Sequence, residues 1–311
     1  MKVNVKVPAS SANLGPGFDC LGMALPIYNI VTIEETVIPG TGIEINIMSD
    51  DESIDEKVFA DIPKDENNLV YKAIEMLYNS IGQVPSELKI NIQTGIPIAR
   101  GLGSSSSVVV GGLLAANKLL GNPADETALL AIATEVEGHP DNIAPAILGG
   151  VVLSAQEDDA SLSYCKLKWP EEWDITVCIP DFQLSTDISR SILPKDVPMS
   201  DAVFNAKHLG MLIQAINTKD IKLMKNAMKD KLHQPYREKL VPGMREIFDA
   251  FKHEDGILGC VLSGAGPSIL IVSYKYNLDQ IKSKVEEIWE RQNIKSDIRT
   301  LKVEEQGAII F

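Results

Sequence analysis

Pro97-Ile98-Ala99-Arg100-Gly101-Leu102-Gly103-Ser104-Ser105-Ser106-Ser107 is the stretch on which the reading of this chain turns. Gly101 and Gly103 let the backbone approach an anion closely, and the serines fall at the first turn of a predicted helix, Ser104 to about Leu120, closed by Gly121. A helix N-terminus offers free N–H groups and the positive end of the macrodipole, both suited to phosphate. Val108-Val109-Val110-Gly111-Gly112 is poor helix-forming sequence, so something other than propensity has to fix this helix. Taken alone, the stretch also reads as a serine-capped helix after a glycine turn. A Walker A loop is excluded, because no Gly-Lys-Ser/Thr occurs in the chain.

Around this loop the pattern alternates strands and helices. Val3, Val5 and Val7 alternate with polar residues, as do Ile43, Ile45 and Ile47, and Leu88, Ile90 and Ile92, which predicts half-buried strands. Leu69, Val70, Ala73, Ile74, Leu77 and Ile81 fall at helical spacing, and Asp125 caps a helix that runs to about Glu137 and stops at Gly138. Asp50 to Lys64 is acidic and irregular, an expected exposed loop. Beyond a small and charged stretch at Gln156 to Ser163, the order is a strand at Ile175–Ile179, helices from Ser200 to Lys252, strands at Ile257–Leu262 and Ile269–Ser273, a helix from Leu278 to Arg291 and a strand from Ile298 to Val303. That order is β–α–β–β–α–β, a split βαβ plan.

The chain has 311 residues, 45% of them hydrophobic and 23% charged, enough for two domains with real cores. A net charge of −14 argues against a nucleic-acid partner, since Lys and Arg would have to neutralise phosphates. It leaves nucleotide binding open, because backbone amides and a metal can supply that charge locally. The 4 cysteines are widely spaced with no CxxC pair, which fits reduced thiols in a cytosolic protein. Met1 to Val7 lacks a signal-peptide block, and the most apolar window, Ile143 to Leu153, is too short to cross a bilayer. The expectation is a soluble, cytoplasmic protein.

Four further segments have compositions that a core would not need. Pro8 to Asp19 leaves a strand through small residues, prolines and glycines, with Asn13 and Asp19 able either to orient a ligand or to close a local Asx turn. Glu135-Val136-Glu137-Gly138-His139-Pro140-Asp141-Asn142 crowds carboxylates, an imidazole and an amide together, suited to a hard metal and a hydrogen-bonded substrate. It does not suggest zinc, because no second His or Cys lies at ligand spacing. Leu262-Ser263-Gly264-Ala265-Gly266-Pro267-Ser268 is either a plain hairpin or a backbone surface for a ligand or the phosphate loop. Thr186, Arg190 and Arg237, the last after His233-Gln234-Pro235-Tyr236, lie in the second half. Two arginines converging on one pocket would indicate an acidic small molecule.

Taken together, Pro8–Asp19, Pro97–Ser107 and Leu262–Ser268 resemble, in order, the three motifs of the GHMP small-molecule kinases, over nearly the whole length. Within that family the wording at 11–19, 139–146 and 233–237 is most similar to the homoserine kinases. The resemblance implies an α+β fold of two domains, residues 1–158 like ribosomal protein S5 domain 2 and binding ATP, residues 159–311 ferredoxin-like. It implies transfer of the ATP γ-phosphate to the side-chain hydroxyl of L-homoserine, giving O-phospho-L-homoserine for threonine biosynthesis. ATP would lie on Pro97 to Ser107 and Gly264, with Mg²⁺ on Ser105 and Glu135, or on Glu137 in place of Glu135. Asn13, His139, Asn142 and Arg190 would serve catalysis, and Asn13, Asp19, His139, Thr186, Arg190 and Arg237 would hold the substrate. Arg190 and Arg237 would meet its carboxylate and Asp19 its ammonium. Asn142 stands where mevalonate kinase and galactokinase carry a catalytic Asp, which favours positioning over a general base; Asp141 is the alternative base. A mevalonate- or sugar-type kinase would want Asp at 142, and a non-catalytic sensor a degraded phosphate loop. The resemblance also implies a homodimer, with no nucleic-acid or membrane partner.

Overall fold

A computed structural model describes residues 1–35, 42–50, 56–85 and 87–311. The first half contains β1 (Lys2–Ala12), β2 (Leu21–Glu35), β3 (Ile43–Ser49), α1 (Leu69–Ser80), β4 (Leu88–Thr94), α2 (Ser104–Leu119), α3 (Glu126–Glu137), α4 (Pro140–Leu148), β5 (Val151–Gln156) and β6 (Leu162–Leu167). In their sheet β1, β2, β4 and β3 are neighbours in that order, with β5 beside β2 and β6 beyond it. Only the β3–β4 pair is parallel among the described strands. Helices α1 to α4 cover one face, sealing Val5, Val31, Ile33 and Ile90 against Ile74, Val109, Leu130 and Ile143.

Caps set the helix ends. Asn68 accepts from Val70 N at 2.9 Å to start α1, and Asp125 accepts from Ala128 N at 2.9 Å to start α3. The unfavourable composition of α2 is explained by packing. A Cβ on Gly111 would lie 2.6 Å from Val31, and one on Gly112 2.3 Å from Val70, so only glycine lets this helix sit so close to β2 and α1.

Several elements exceed the sequence expectation. β1 continues to Ala12, with a register shift between Pro8 and Ala9, so Pro8 to Ala12 belong to a strand and the shaped loop begins at Asn13. Residues 7 to 12 are buried throughout, which removes the period-2 signal. β2, β5, β6 and α4 go unpredicted: residues 21–25 of β2 are buried throughout, Val151 and Val152 of β5 are buried together, β6 is exposed along its middle and Pro145 stands inside α4. Of the expected acidic loop, residues 51–55 lie outside the described residues; Glu56–Phe59 is a 3₁₀ turn whose Phe59 is buried.

The second half contains β7 (Trp173–Pro180), α5 (Thr186–Ser191), α6 (Met199–Thr218), α7 (Ile221–Ala227), α8 (Gln234–Arg237), α9 (Met244–Phe251), β8 (Ile257–Leu262), β9 (Ile269–Tyr274), α10 (Leu278–Glu290), β10 (Ser296–Leu301) and a short β11 (Ile309–Ile310). Its antiparallel sheet runs β10-β7-β9-β8, the ferredoxin-like order of the split βαβ plan. β11 returns to pair with β1, so the first sheet takes β6 and β11 from beyond residue 158. One core spans both sheets, with Leu14, Met23 and Leu25 clustered with Ile175, Val177, Met228 and Leu270. Among the described residues no helix is long and apolar enough to cross a membrane.

Candidate active site

The loop from β4 into α2 is held in shape by its neighbours. Leu184 N donates to Ala99 O (3.0 Å), the Ser263 hydroxyl to Gly101 O (2.6 Å) and Ser10 N to Leu102 O (3.1 Å). The Arg100 guanidinium is taken up by backbone carbonyls: Nε donates to Pro180 O (2.8 Å), and the terminal nitrogens to Asp181 O (2.9 Å) and Ile98 O (3.1 Å). Arg100 therefore fastens the loop to the second domain. Gly103 precedes α2 with φ +67°, and a Cβ there would lie 2.0 Å from the Ser10 hydroxyl oxygen. Gly103, at the N-cap, has no side chain to cap α2, and Gly103 to Ser106 line the cavity, which places the positive end of the helix dipole at its wall.

Beside those amides, the hydroxyls of Ser105 and Ser106 donate to the two oxygens of Glu137, at 3.1 and 2.8 Å. Glu135, expected at the metal, is exposed and off the cavity wall. Residues two apart on a helix point about 200° away from each other, so α3 can turn only one of the pair toward α2. One carboxylate with neighbouring hydroxyl oxygens is a hard donor set. It suits Mg²⁺, which takes few protein ligands and shares the rest with phosphate and water. Among the described residues no cluster of three or more His, Cys, Asp and Glu side chains could hold a metal by itself.

At the other end two arginines meet. Arg190, on α5, makes a bidentate pair with Asp19 at 2.8 and 3.1 Å. Burial disfavours its charge, but the hydrogen bonds and charge of Asp19 outweigh this and hold its pKa above the ordinary arginine value. Arg237 is 1% exposed. It donates to Gly264 O (3.1 Å), Ser189 O (3.3 Å) and His233 Nδ1 (3.2 Å), and it forms no ion pair with a carboxylate among the described residues. Burial first, and Arg190 second, push its pKa down to about 10. His233 completes this support: Nδ1 accepts from Arg237 while Nε2 donates to Gly15 O at 2.9 Å, the neutral tautomer that burial favours. The Phe18 ring stacks on His233, with the Arg237 and Arg190 guanidiniums 5.4 and 5.9 Å from its centre.

Between the two ends stand the residues at the start of α4. His139 Nδ1 lies 2.6 Å from Asp141 Oδ1, and Asp141 is 2% exposed. Burial opposes a charge on His139, but the hydrogen bond and charge of Asp141 prevail and raise its pKa. Asn142 Oδ1 accepts from the Ser10 hydroxyl at 2.8 Å, and Asn142 lines the cavity. Asn13 is in the left-handed region (φ +72°) and its amide is held at both ends, donating to Gly264 O at 2.9 Å and accepting from Asp19 N at 3.0 Å. It thereby locks the two glycine-rich turns together and fixes the backbone of Asp19.

All this lines one cavity of about 640 Å³. It brings together Asn13, Asp19, His139, Asn142, Thr186, Arg190, Arg237 and Gly264 with the loop from Ile98 to Ser106. Pro97 and Ser107 are outside the wall, and Ser107 is buried behind it. The sequence reading missed the cavity's other end, where Ile47, Ile62, Leu69, Ile92 and Val108 make an apolar wall beside Asn68. The available signal was Asn68 itself, a helix cap at the edge of the acidic stretch. The apolar residues read as ordinary core.

The GHMP kinases N terminal domain pattern matches residues 68–150, and the GHMP kinases C terminal pattern matches residues 212–291. A homoserine kinase of Microchaete diplosiphon is 41% identical over 306 residues, covering 98% of this chain and 96% of its own. One from Caldicellulosiruptor saccharolyticus is 42% identical, covering 99% and 96%. The crystal structure of homoserine kinase from Cytophaga hutchinsonii superposes with a TM-score of 0.85 at 31% identity, covering 100% of this chain and 97% of that one.

Proposed function

The chain belongs to the GHMP kinases, ATP-dependent enzymes that phosphorylate small molecules, and from that premise we propose that it transfers the ATP γ-phosphoryl group to the side-chain hydroxyl of L-homoserine. The observation that carries this reading is the charge layout of a single cavity. An apolar end is followed by uncapped helix amides and then by a buried arginine with no carboxylate partner among the described residues. An adenine ring, a triphosphate and the carboxylate of an amino acid meet those three environments in that order.

Homoserine is a zwitterion, and the polar end offers both counter-charges. Arg237 and Arg190 receive the carboxylate, and Asp19 the ammonium once its pair with Arg190 opens. Asn142 and His139 face the reacting hydroxyl. An amide cannot take a proton, and Asp141 Oδ1 is already engaged by His139. Catalysis then rests on alignment and charge stabilisation, which dominate when the phosphoryl group passes through a loose transition state. Mg²⁺ belongs to the same proposal: Ser105, Ser106 and Glu137 would hold it, and bound there it would neutralise charge on the phosphate oxygens. Family likeness supplies the remaining parts, a cytoplasmic homodimer.

The test is ADP release with ATP and Mg²⁺ across homoserine, serine, mevalonate and galactose. Homoserine should be turned over at least about 100-fold more efficiently than the others. Equal turnover of mevalonate or galactose would refute the assignment.

A further inference from the structure

Asn29 lies in the middle of β2, fully buried and away from the cavity wall. Its neighbours on the same strand face, Ile27, Val31 and Ile33, are apolar core residues, so an amide there is an exception. A buried amide is costly unless both its ends are satisfied. Asn29 Oδ1 accepts from Gly95 N and Ile96 N, both at 3.0 Å. Its Nδ2 donates to the Ser107 hydroxyl at 2.8 Å, and that hydroxyl donates onward to Ser104 O at 2.8 Å.

These partners are not scattered. Gly95 and Ile96 lead out of β4 into the phosphate loop, and Ser104 and Ser107 form the first turn of α2 on its far side. One side chain thus joins the two ends of the segment that presents the amides. Gly95 N has a second acceptor in Tyr28 O at 3.1 Å, so the bonds to Ile96 and Ser107 matter most.

We propose that Asn29 is a positioning residue for the triphosphate: touching no ligand, it sets the spacing between the loop's two ends and so the aim of the amides at the head of α2. The inference rests on the kinase reading above. The substrate carboxylate lies outside its reach, because Arg237 is held by Gly264, Ser189 and His233.

The test compares Asn29→Leu, which keeps the branched side-chain shape without its polar atoms, with Ser107→Ala, which cuts only the arm to the helix. Each is read by calorimetric MgADP affinity, by the KM for homoserine and by Tm. Asn29→Leu should weaken MgADP binding about tenfold or more, with homoserine KM within about twofold. Ser107→Ala should show the same selectivity at smaller size, and the double variant should be no worse than Asn29→Leu, since Ser107 acts through Asn29. Wild-type MgADP affinity in a folded Ser107→Ala would overturn the proposal, even if Asn29→Leu does not fold. So would parallel losses of nucleotide and homoserine affinity. A wild-type protein that binds MgADP but does not phosphorylate homoserine would remove the homoserine assignment and leave the MgADP and Tm readouts of this test intact.

Discussion

Replacing Arg237 by Met should nearly abolish homoserine recognition while leaving the fold almost as stable as before. In the free protein the charge on Arg237 is disfavoured, burial first and the nearby Arg190 second pushing its pKa well below the ordinary arginine value, to about 10. At roughly 1.4 kcal/mol per tenfold change in proton affinity, that is on the order of 3 kcal/mol against the charged form. Methionine fills similar space without the charge, so this cost disappears. Three hydrogen bonds disappear as well, to Gly264 O, Ser189 O and His233 Nδ1. At about 1 kcal/mol each they amount to a similar total. Gly264 O keeps its bond from Asn13. The two contributions offset, and Tm should move by only a few degrees, roughly 2–3 °C per kcal/mol of imbalance. Binding does not cancel in this way, because losing one partner of a desolvated charge pair costs about 2–5 kcal/mol. The homoserine KM should therefore rise about 100-fold or more, with the ATP KM within about threefold. Steady-state kinetics with each substrate varied, together with a thermal melt, reads all three quantities. An unchanged homoserine KM, or a rise in both KM values alongside a collapse in Tm, would refute the reasoning.

Helix phase makes a sharp prediction at the metal. Glu137→Gln should raise the Mg²⁺ concentration for half-maximal activity about tenfold or more, and Glu135→Gln should leave it within about twofold, as read from activity against free Mg²⁺. For pH, the folded pKa of His139 is raised, burial being outweighed by Asp141. Its contribution to stability is then complete below the unfolded value near 6.5 and is lost as pH rises through the higher folded value. The Tm of the wild type should exceed that of His139→Gln by a few degrees, about 1–2 kcal/mol, at pH 6, and the gap should narrow as pH rises above the unfolded value. A gap that widens with pH would reverse the assignment.

The parts of the site legible in the sequence are those whose chemistry is local. The glycines and serines of 101–107 act through backbone conformation and the end of one helix, both decided within a few residues, and all but Ser107 line the cavity. The second sheet was legible because β8 and β9 are short apolar runs bounded by turn residues and α10 keeps a helical pattern. The continuation of β1 and the first residues of β2 were not, because residues 7–12 and 21–25 are buried throughout and lose the alternation that announces a strand.

Partnership between distant residues was decided by tertiary packing. Composition around 135–142 could not tell whether Glu135 or Glu137 faces α2; α3 docks with Glu137 against Ser105 and Ser106 and leaves Glu135 exposed. Asn13 and Arg100 both line the cavity, and only folding shows the backbone groups that hold their side chains in place. The apolar end of the cavity is assembled from β3, β4, α1 and α2, and nothing in any one of them separates Ile47 or Val108 from core. By itself the chain specified where an anion could sit, because a helix end carries that property wherever it is placed. What lies to either side of the anion depended on which surfaces two packed domains leave open to each other, and that is a property of packing, not of any local segment.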